Sequence, residues 1–93
     1  MRQASDRSRY ELVDGDAIVG FADYVIDGAT VEFPHTVINP DRRGHGLGAI
    51  LVEAALEDVR RSGKVVLPTC WYVAQFIDTH PEYADVLDSR FAL

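Results

Sequence analysis

The sequence predicts a mixed α/β domain of the α+β kind, with three antiparallel strands followed by a helix, a parallel strand and a second helix. Three observations carry this. Two Asp-Gly dipeptides, Asp14-Gly15 and Asp27-Gly28, separate runs rich in β-branched and aromatic residues, which is hairpin chemistry. Beyond Gly46 the apolar residues change from strand spacing to helical spacing, as an amphipathic helix requires. After Gly63 comes a short, nearly continuous apolar run, Lys64 to Leu67. A strand, a helix and a buried strand in succession imply a right-handed parallel crossover.

The 93 residues, 47% of them apolar, form one small domain over 1–93. Met1 to Ser8 is polar, and a polar terminus of this kind is expected to fray. Tyr10 to Val13, Ala17 to Ile26 and Thr30 to Ile38 are the three strands. Strict alternation in the third puts Val31, Phe33, His35 and Val37 on one face and Glu32, Pro34, Thr36 and Ile38 on the other. Pro34 has no N–H for a ladder, so the strand lies at an edge or bulges there. A bulge opens the sheet and leaves backbone donors for a ligand.

From Gly46 to Ser62, Leu47, Ile50, Leu51, Ala54, Ala55 and Val59 fall on one helical stripe. Arg60 and Arg61 suit the negative end, Glu57 pairs with Arg61 at i,i+4, and Gly63 stops the helix. Thr69 is the expected N-cap of a second helix, Cys70 to Thr79, which turns Val73, Phe76 and Ile77 inward and ends before Pro81. The tail, Glu82 to Leu93, holds one further helical turn. Trp71, Tyr72 and Phe76 are read as core or cleft lining, and His80 as a structural cap.

The strongest local signal is Asp41-Arg42-Arg43-Gly44-His45-Gly46-Leu47-Gly48, a turn between the third strand and the long helix. Glycines at alternate positions reach left-handed backbone conformations freely and leave N–H groups uncovered. The helix adds its unpaired first-turn donors and the positive end of its dipole, so the natural guest is a phosphate or diphosphate. Arg42 and Arg43 add charge beside it. No Lys follows the glycines, which excludes a P-loop, and the spacing is not that of a dinucleotide fold. A tight turn without a ligand is the plain alternative.

Charge and cysteine content narrow the field. The net charge is −6 with a single Lys, against the clustered cations that nucleic-acid binding needs. No apolar run approaches membrane-spanning length. A single Cys excludes an internal disulfide, and with no signal-like opening the expected compartment is the cytoplasm. Cys70 in a first helical turn is either a reactive thiolate or a small buried hydrophobe. Both helix starts lie at the carboxyl ends of adjacent strands, so the glycine turn and Cys70 are expected to face one cleft. His35, His45, Cys70 and His80 fit no compact ligand spacing, and no metal is assigned. The sequence sets no oligomeric state.

Arg43-Gly44-His45-Gly46-Leu47-Gly48 resembles the Gln/Arg-x-x-Gly-x-Gly/Ala loop of the GNAT superfamily of N-acetyltransferases. With His35-Thr36, Leu67-Pro68-Thr69-Cys70 and His80-Pro81-Glu82-Tyr83, the chain looks like the very short, single-domain members of that superfamily from about Tyr10 to Leu87. Two departures stand out. Val37 follows His35-Thr36 where relatives continue Glu-Val, and Trp71-Tyr72 follows Cys70 where they often have Pro-Phe.

The resemblance implies a minimal GNAT-like fold and acetyl-CoA as the bound carrier. Its diphosphate would lie on the N–H groups of Arg43, Gly44, His45, Gly46, Leu47 and Gly48 with the Arg42 charge beside it, and its thioester near Val37 and Ile38. A backbone N–H there would stabilise the oxyanion, worth about 3 to 4 kcal/mol in acyl-transfer enzymes. The partner would be an amine of a small molecule or protein. With an amine pKa of about 10.4, deprotonation at pH 7 costs about 4 to 5 kcal/mol. His35 is the candidate base and Cys70 the second candidate catalytic residue, whose thiolate offers a covalent route beside direct transfer. A non-catalytic acyl-CoA sensor is the second reading, favoured by the missing glutamate, and a general nucleotide-phosphate binder the third.

Overall fold

The computed structural model describes residues 1–5, 8–42, 44 and 46–88. Five strands form one sheet in chain order: β1 (Arg2–Ala4), β2 (Arg9–Asp14), β3 (Ala17–Asp27), β4 (Thr30–Ile38) and β5 (Val65–Leu67). The first four are antiparallel neighbours and β5 runs parallel to β4. Helix α1 (Leu47–Arg61) makes the crossover between them, and α2 (Trp71–Thr79) follows β5. Leu51 and Leu56 of α1, Val73 of α2, and Phe33 and Val66 of the sheet belong to one buried cluster, each side chain contributing roughly 1.5 to 3 kcal/mol by leaving water.

The polar opening is not frayed throughout. β1 pairs with β2, and Arg2 Nε donates to Glu11 Oε1 at 2.9 Å. Glu11 is only 1% exposed. A carboxylate so buried needs a charged or hydrogen-bonding partner, and Arg2 supplies one. The ladder to β2, with Arg2 as one partner of Glu11, holds the first strand.

The other boundaries shift by a residue or two. Gly15 and Gly28, at φ 61° and 60°, supply the positive backbone angles of the two hairpins. Gly63, at φ 73°, ends α1, its N–H donating to Arg60 O at 3.1 Å. The ion pairs on α1 differ from expectation: Arg60 meets Glu57 at 3.2 Å and Arg61 meets Asp58 at 3.3 Å, both at i,i+3. Arg60 also reaches Asp85 at 2.7 Å, which draws it towards the tail and leaves Arg61 to Asp58. The tail turn is a 3-10 segment, Pro81–Val86. Leu87 then bridges Val66 in parallel, and Asp88 N–H donates to Val66 O at 2.8 Å, extending the sheet past β5.

Two tyrosines tie the layers together. Tyr10 Oη donates to Asp58 Oδ2 at 2.6 Å, and Tyr83 Oη to Glu57 Oε1 at 2.9 Å. Burial, then the hydrogen-bonded carboxylate, pushes both phenols well above their ordinary range. Above about pH 10 the unfolded chain releases these protons while the folded chain keeps them, so stability falls as pH rises. Thermal melts should hold steady below that pH and drop beyond it. A flat profile across it would refute the assignment.

Candidate active site

The site begins with Pro34. Asp23 pairs with His35 and Val25 with Glu32, so Phe33 and Pro34 of β4 together oppose Tyr24 alone. That is the β-bulge Pro34 requires, since it has no N–H to give the ladder. The bulge inverts the alternation. Val31 and Phe33 are buried on the helix-covered face, but beyond Pro34 it is Thr36 and Ile38, opposite Ala22 and Gly20, that turn to that face.

His35 and Val37 therefore do not share a face with Phe33, as strict alternation predicts. They lie on the outer face of the sheet, opposite Asp23 and Phe21. The His35 side chain is 66% exposed, with Nε2 3.9 Å from Asp23 Oδ2. Val37 is 40% exposed. Neither side chain lines the cleft.

Backbone direction corrects a second expectation. Asn39 N–H donates to Val19 O of β3 at 2.8 Å. Successive residues of a strand point their N–H and C=O to opposite sides, so Val37 also faces β3, whereas Thr36 and Ile38 face away from it. On that side β5 has left: its pairing with β4 ends at Glu32 and Leu67. Thr36 and Ile38, rather than Val37, aim backbone donors into the opening.

The split is pinned at its root. Cys70 N–H donates to Phe33 O at 2.9 Å, and Thr69 Oγ1 donates to Glu32 Oε2 at 2.8 Å. Thr69 is thus engaged with β4, and Cys70, at φ −78° and ψ 125°, is the N-cap of α2 in its place. Its thiol is buried, with Sγ 3.9 Å from Thr36 Oγ1.

Opposite, α1 starts from Gly46 at φ 72°, with no side-chain cap and no acidic residue in its first turn. The helix accepts its first bond from Ile50 N–H to Gly46 O, which leaves the Leu47, Gly48 and Ala49 donors without helical partners. Gly44 is also left-handed, at φ 88°. Gly48 is helical, and its lack of a side chain serves close approach: a Cβ there would lie 2.6 Å from Tyr72 Oη. Arg42 Nη1 is held 2.7 Å from Asp14 Oδ2. Arg43 and His45 lie outside the described residues.

These parts border one cleft of about 490 Å³, lined by Thr36 and Ile38 of β4, Arg42, Gly44 and Gly46 to Gly48 of the turn, and Cys70 to Tyr72 of α2. Its volume suits a small organic ligand. Uncapped donors, no nearby first-turn acid and one arginine at one end fit a diphosphate; two backbone donors and an apolar wall at the other fit a carbonyl. Among the described residues no His, Cys, Asp and Glu side chains gather as a metal site. His80 is structural, as expected: its ring stacks on Phe76 at 4.0 Å, and Nδ1 donates to Phe76 O at 2.8 Å, since a carbonyl can only accept.

Trp71 and Tyr72, read from the sequence as core or cleft lining, line the cleft, and Thr36 and Gly20 are the parts that sequence reasoning left out. Gly20 had a signal, because glycine within a strand marks a close approach. A Cβ on it would lie 2.5 Å from Ile38 Cδ1.

A parallel pair parting over a glycine-started helix is the layout of the GNAT fold. A GCN5-like protein of Staphylococcus aureus, solved by NMR in solution, superposes with a TM-score of 0.69 at 19% identity, over 87% of this chain and 81% of that one. The profile of the GCN5-related N-acetyl-transferase family matches residues 9–86, and the chain belongs to that family. No curated protein matches it significantly. Among the described residues no helix is long and apolar enough to cross a membrane.

Proposed function

We propose that the protein transfers the acetyl group of acetyl-CoA to a primary amine. The observation that supports this best is the continuity of the cleft from the uncapped start of α1 to the open side of β4. The diphosphate sits on the Leu47 to Ala49 donors with Arg42, and Arg43 and His45 complete the turn. The thioester carbonyl lies against Thr36 and Ile38, whose N–H groups receive the developing oxyanion.

The amine nitrogen bonds to the acetyl carbon, the C–S bond breaks, the amine loses a proton and the departing thiolate gains one. His35 takes the amine's proton from the outer side of the split, where it stands beside Asp23. Tyr72 and Cys70 line the cleft and each carries an acidic proton to give the thiolate. Transfer is direct. Cys70 is a buried N-cap whose nearest polar side-chain partner is a hydroxyl, Thr36 Oγ1, not a base that would raise its thiolate.

The test is purified protein with acetyl-CoA and a panel of amines, following free thiol and acetylated amine together. Amine-dependent release of both is expected. Tight binding of coenzyme A without release would favour the sensor reading, and ATP competing equally would favour a general phosphate binder. Protein held with acetyl-CoA alone should keep its unmodified mass; a gain of one acetyl on Cys70 would replace direct transfer with the covalent route.

A further inference from the structure

Behind the cleft lies a second gap, too small to admit water and lined only by apolar side chains: Ala22, Phe33, Val52, Ala55, Leu56 and Val73. Protein interiors leave few such gaps, and an apolar one stays dry. Three links place it against the deep end of the cleft. Ala22 stands directly opposite Thr36 on the helix-covered face, where paired side chains are about 5 Å apart. Phe33 O accepts the Cys70 N–H at 2.9 Å. Val73 is the third residue of α2, counted from Cys70 at its N-cap, and both belong to the same buried cluster.

Cys70 and Thr36 line the cleft but not the gap. They meet each other with Sγ 3.9 Å from Oγ1, so one sulfur and one hydroxyl form the wall between the two spaces. A buried cysteine packs there as a small hydrophobe. The wall stands where the split closes, because β5 rejoins β4 at Leu67 and Glu32. A carrier with its diphosphate on the glycine turn and its carbonyl against Thr36 and Ile38 directs its acyl group at this closed end.

We propose that Cys70 and Thr36 form a partition that limits the carried acyl group to acetyl, by shutting longer chains out of the apolar gap behind them. This rests on the reading of the cleft as the seat of an acyl-CoA. A third or fourth acyl carbon meets the sulfur and the hydroxyl, and the space that would take it lies on their far side. One methylene too many in such a pocket costs about tenfold.

Calorimetry without any amine reads the partition on binding alone, with coenzyme A and its acetyl, propionyl and butyryl thioesters as ligands. Wild-type protein should bind propionyl-CoA about tenfold more weakly than acetyl-CoA, and butyryl-CoA more weakly still. Cys70→Ala removes the sulfur and joins the two spaces, so the ratio of the butyryl-CoA to the acetyl-CoA dissociation constant should fall about tenfold. Adding Ala22→Val refills the gap and should restore the ratio. Thermal melts show that each variant is folded; if the double variant is not, Ala55→Val fills the gap from α1 instead.

Equal affinities for the three thioesters in the wild-type protein, or a ratio that Cys70→Ala does not move, would overturn the proposal and leave the carrier reading standing. A ratio lowered by Cys70→Ala but not restored by filling the gap would overturn it too, since the longer chain would then lie elsewhere. No binding of coenzyme A itself would overturn both.

Discussion

Gly46→Pro should reduce coenzyme A affinity by about a hundredfold or more, the loss expected when about 3 kcal/mol is removed. Gly46 sits at φ 72°, and proline is locked near −65°. The substitution also deletes the Gly46 N–H and turns the first donors of α1 away from the cleft. A milder variant separates geometry from bulk. Nothing lies within 4 Å of a Cβ added to Gly46, so Gly46→Ala carries only the left-handed penalty of about 1 to 2 kcal/mol. Its affinity should fall by an intermediate factor. Titration calorimetry checks both, with thermal melts to show that the core, to which Gly46 does not contribute, remains folded. A folded Gly46→Pro protein with unchanged affinity would remove the glycine turn as the seat of the diphosphate.

Gly20→Val should injure the other end of the cleft. A Cβ at Gly20 would lie 2.5 Å from Ile38 Cδ1 and 3.0 Å from Val37 O. The isoleucine tip can swing away, but the Val37 carbonyl belongs to the ladder between β3 and β4 and cannot. Relief must come from Ile38, which already lines the cleft. The expected cost is about 1 to 3 kcal/mol of stability, as for other overpacked positions, together with a several-fold loss of coenzyme A affinity as the side chain enters the ligand's space. Denaturant unfolding measures the first and calorimetry the second. Full affinity in a destabilised Gly20→Val protein would mean that Ile38 does not wall the thioester end.

These two glycines show where the sequence could be read and where it could not. The Gly46 turn was legible because local chemistry determines it: glycine spacing, the strand before it and the helical stripe after it agree. Pro34 foretold its bulge for the same reason, through a missing donor. What a bulge does to every later residue is a consequence of pairing, and period-two reasoning carried His35 and Val37 to the wrong face. Thr36 and Ile38 took their place in the cleft.

β1 escaped notice because it is ordered by pairing with β2, a contact set by the sheet and not by its neighbours in sequence. Thr69 looked like a cap, and its hydroxyl was instead drawn to Glu32, 37 residues away. Tyr72 over Gly48 is likewise a contact between helices that no local pattern announces. Non-local contacts of this kind decide side-chain roles once local signals have decided the elements.

The single supernumerary residue in β4 makes the chemistry of the cleft a question of parity. With Phe33 and Pro34 sharing one place opposite Tyr24, the strand is out of step with itself on either side of the proline. The same residues paired without the bulge would let strict alternation run through and exchange the two sides of everything downstream. An imidazole and a valine would then look inward, and a hydroxyl and an isoleucine outward, without a single substitution in the wall. The register of Thr36 and Ile38 against β3, as much as residue identity, is what a working descendant of this sequence must keep.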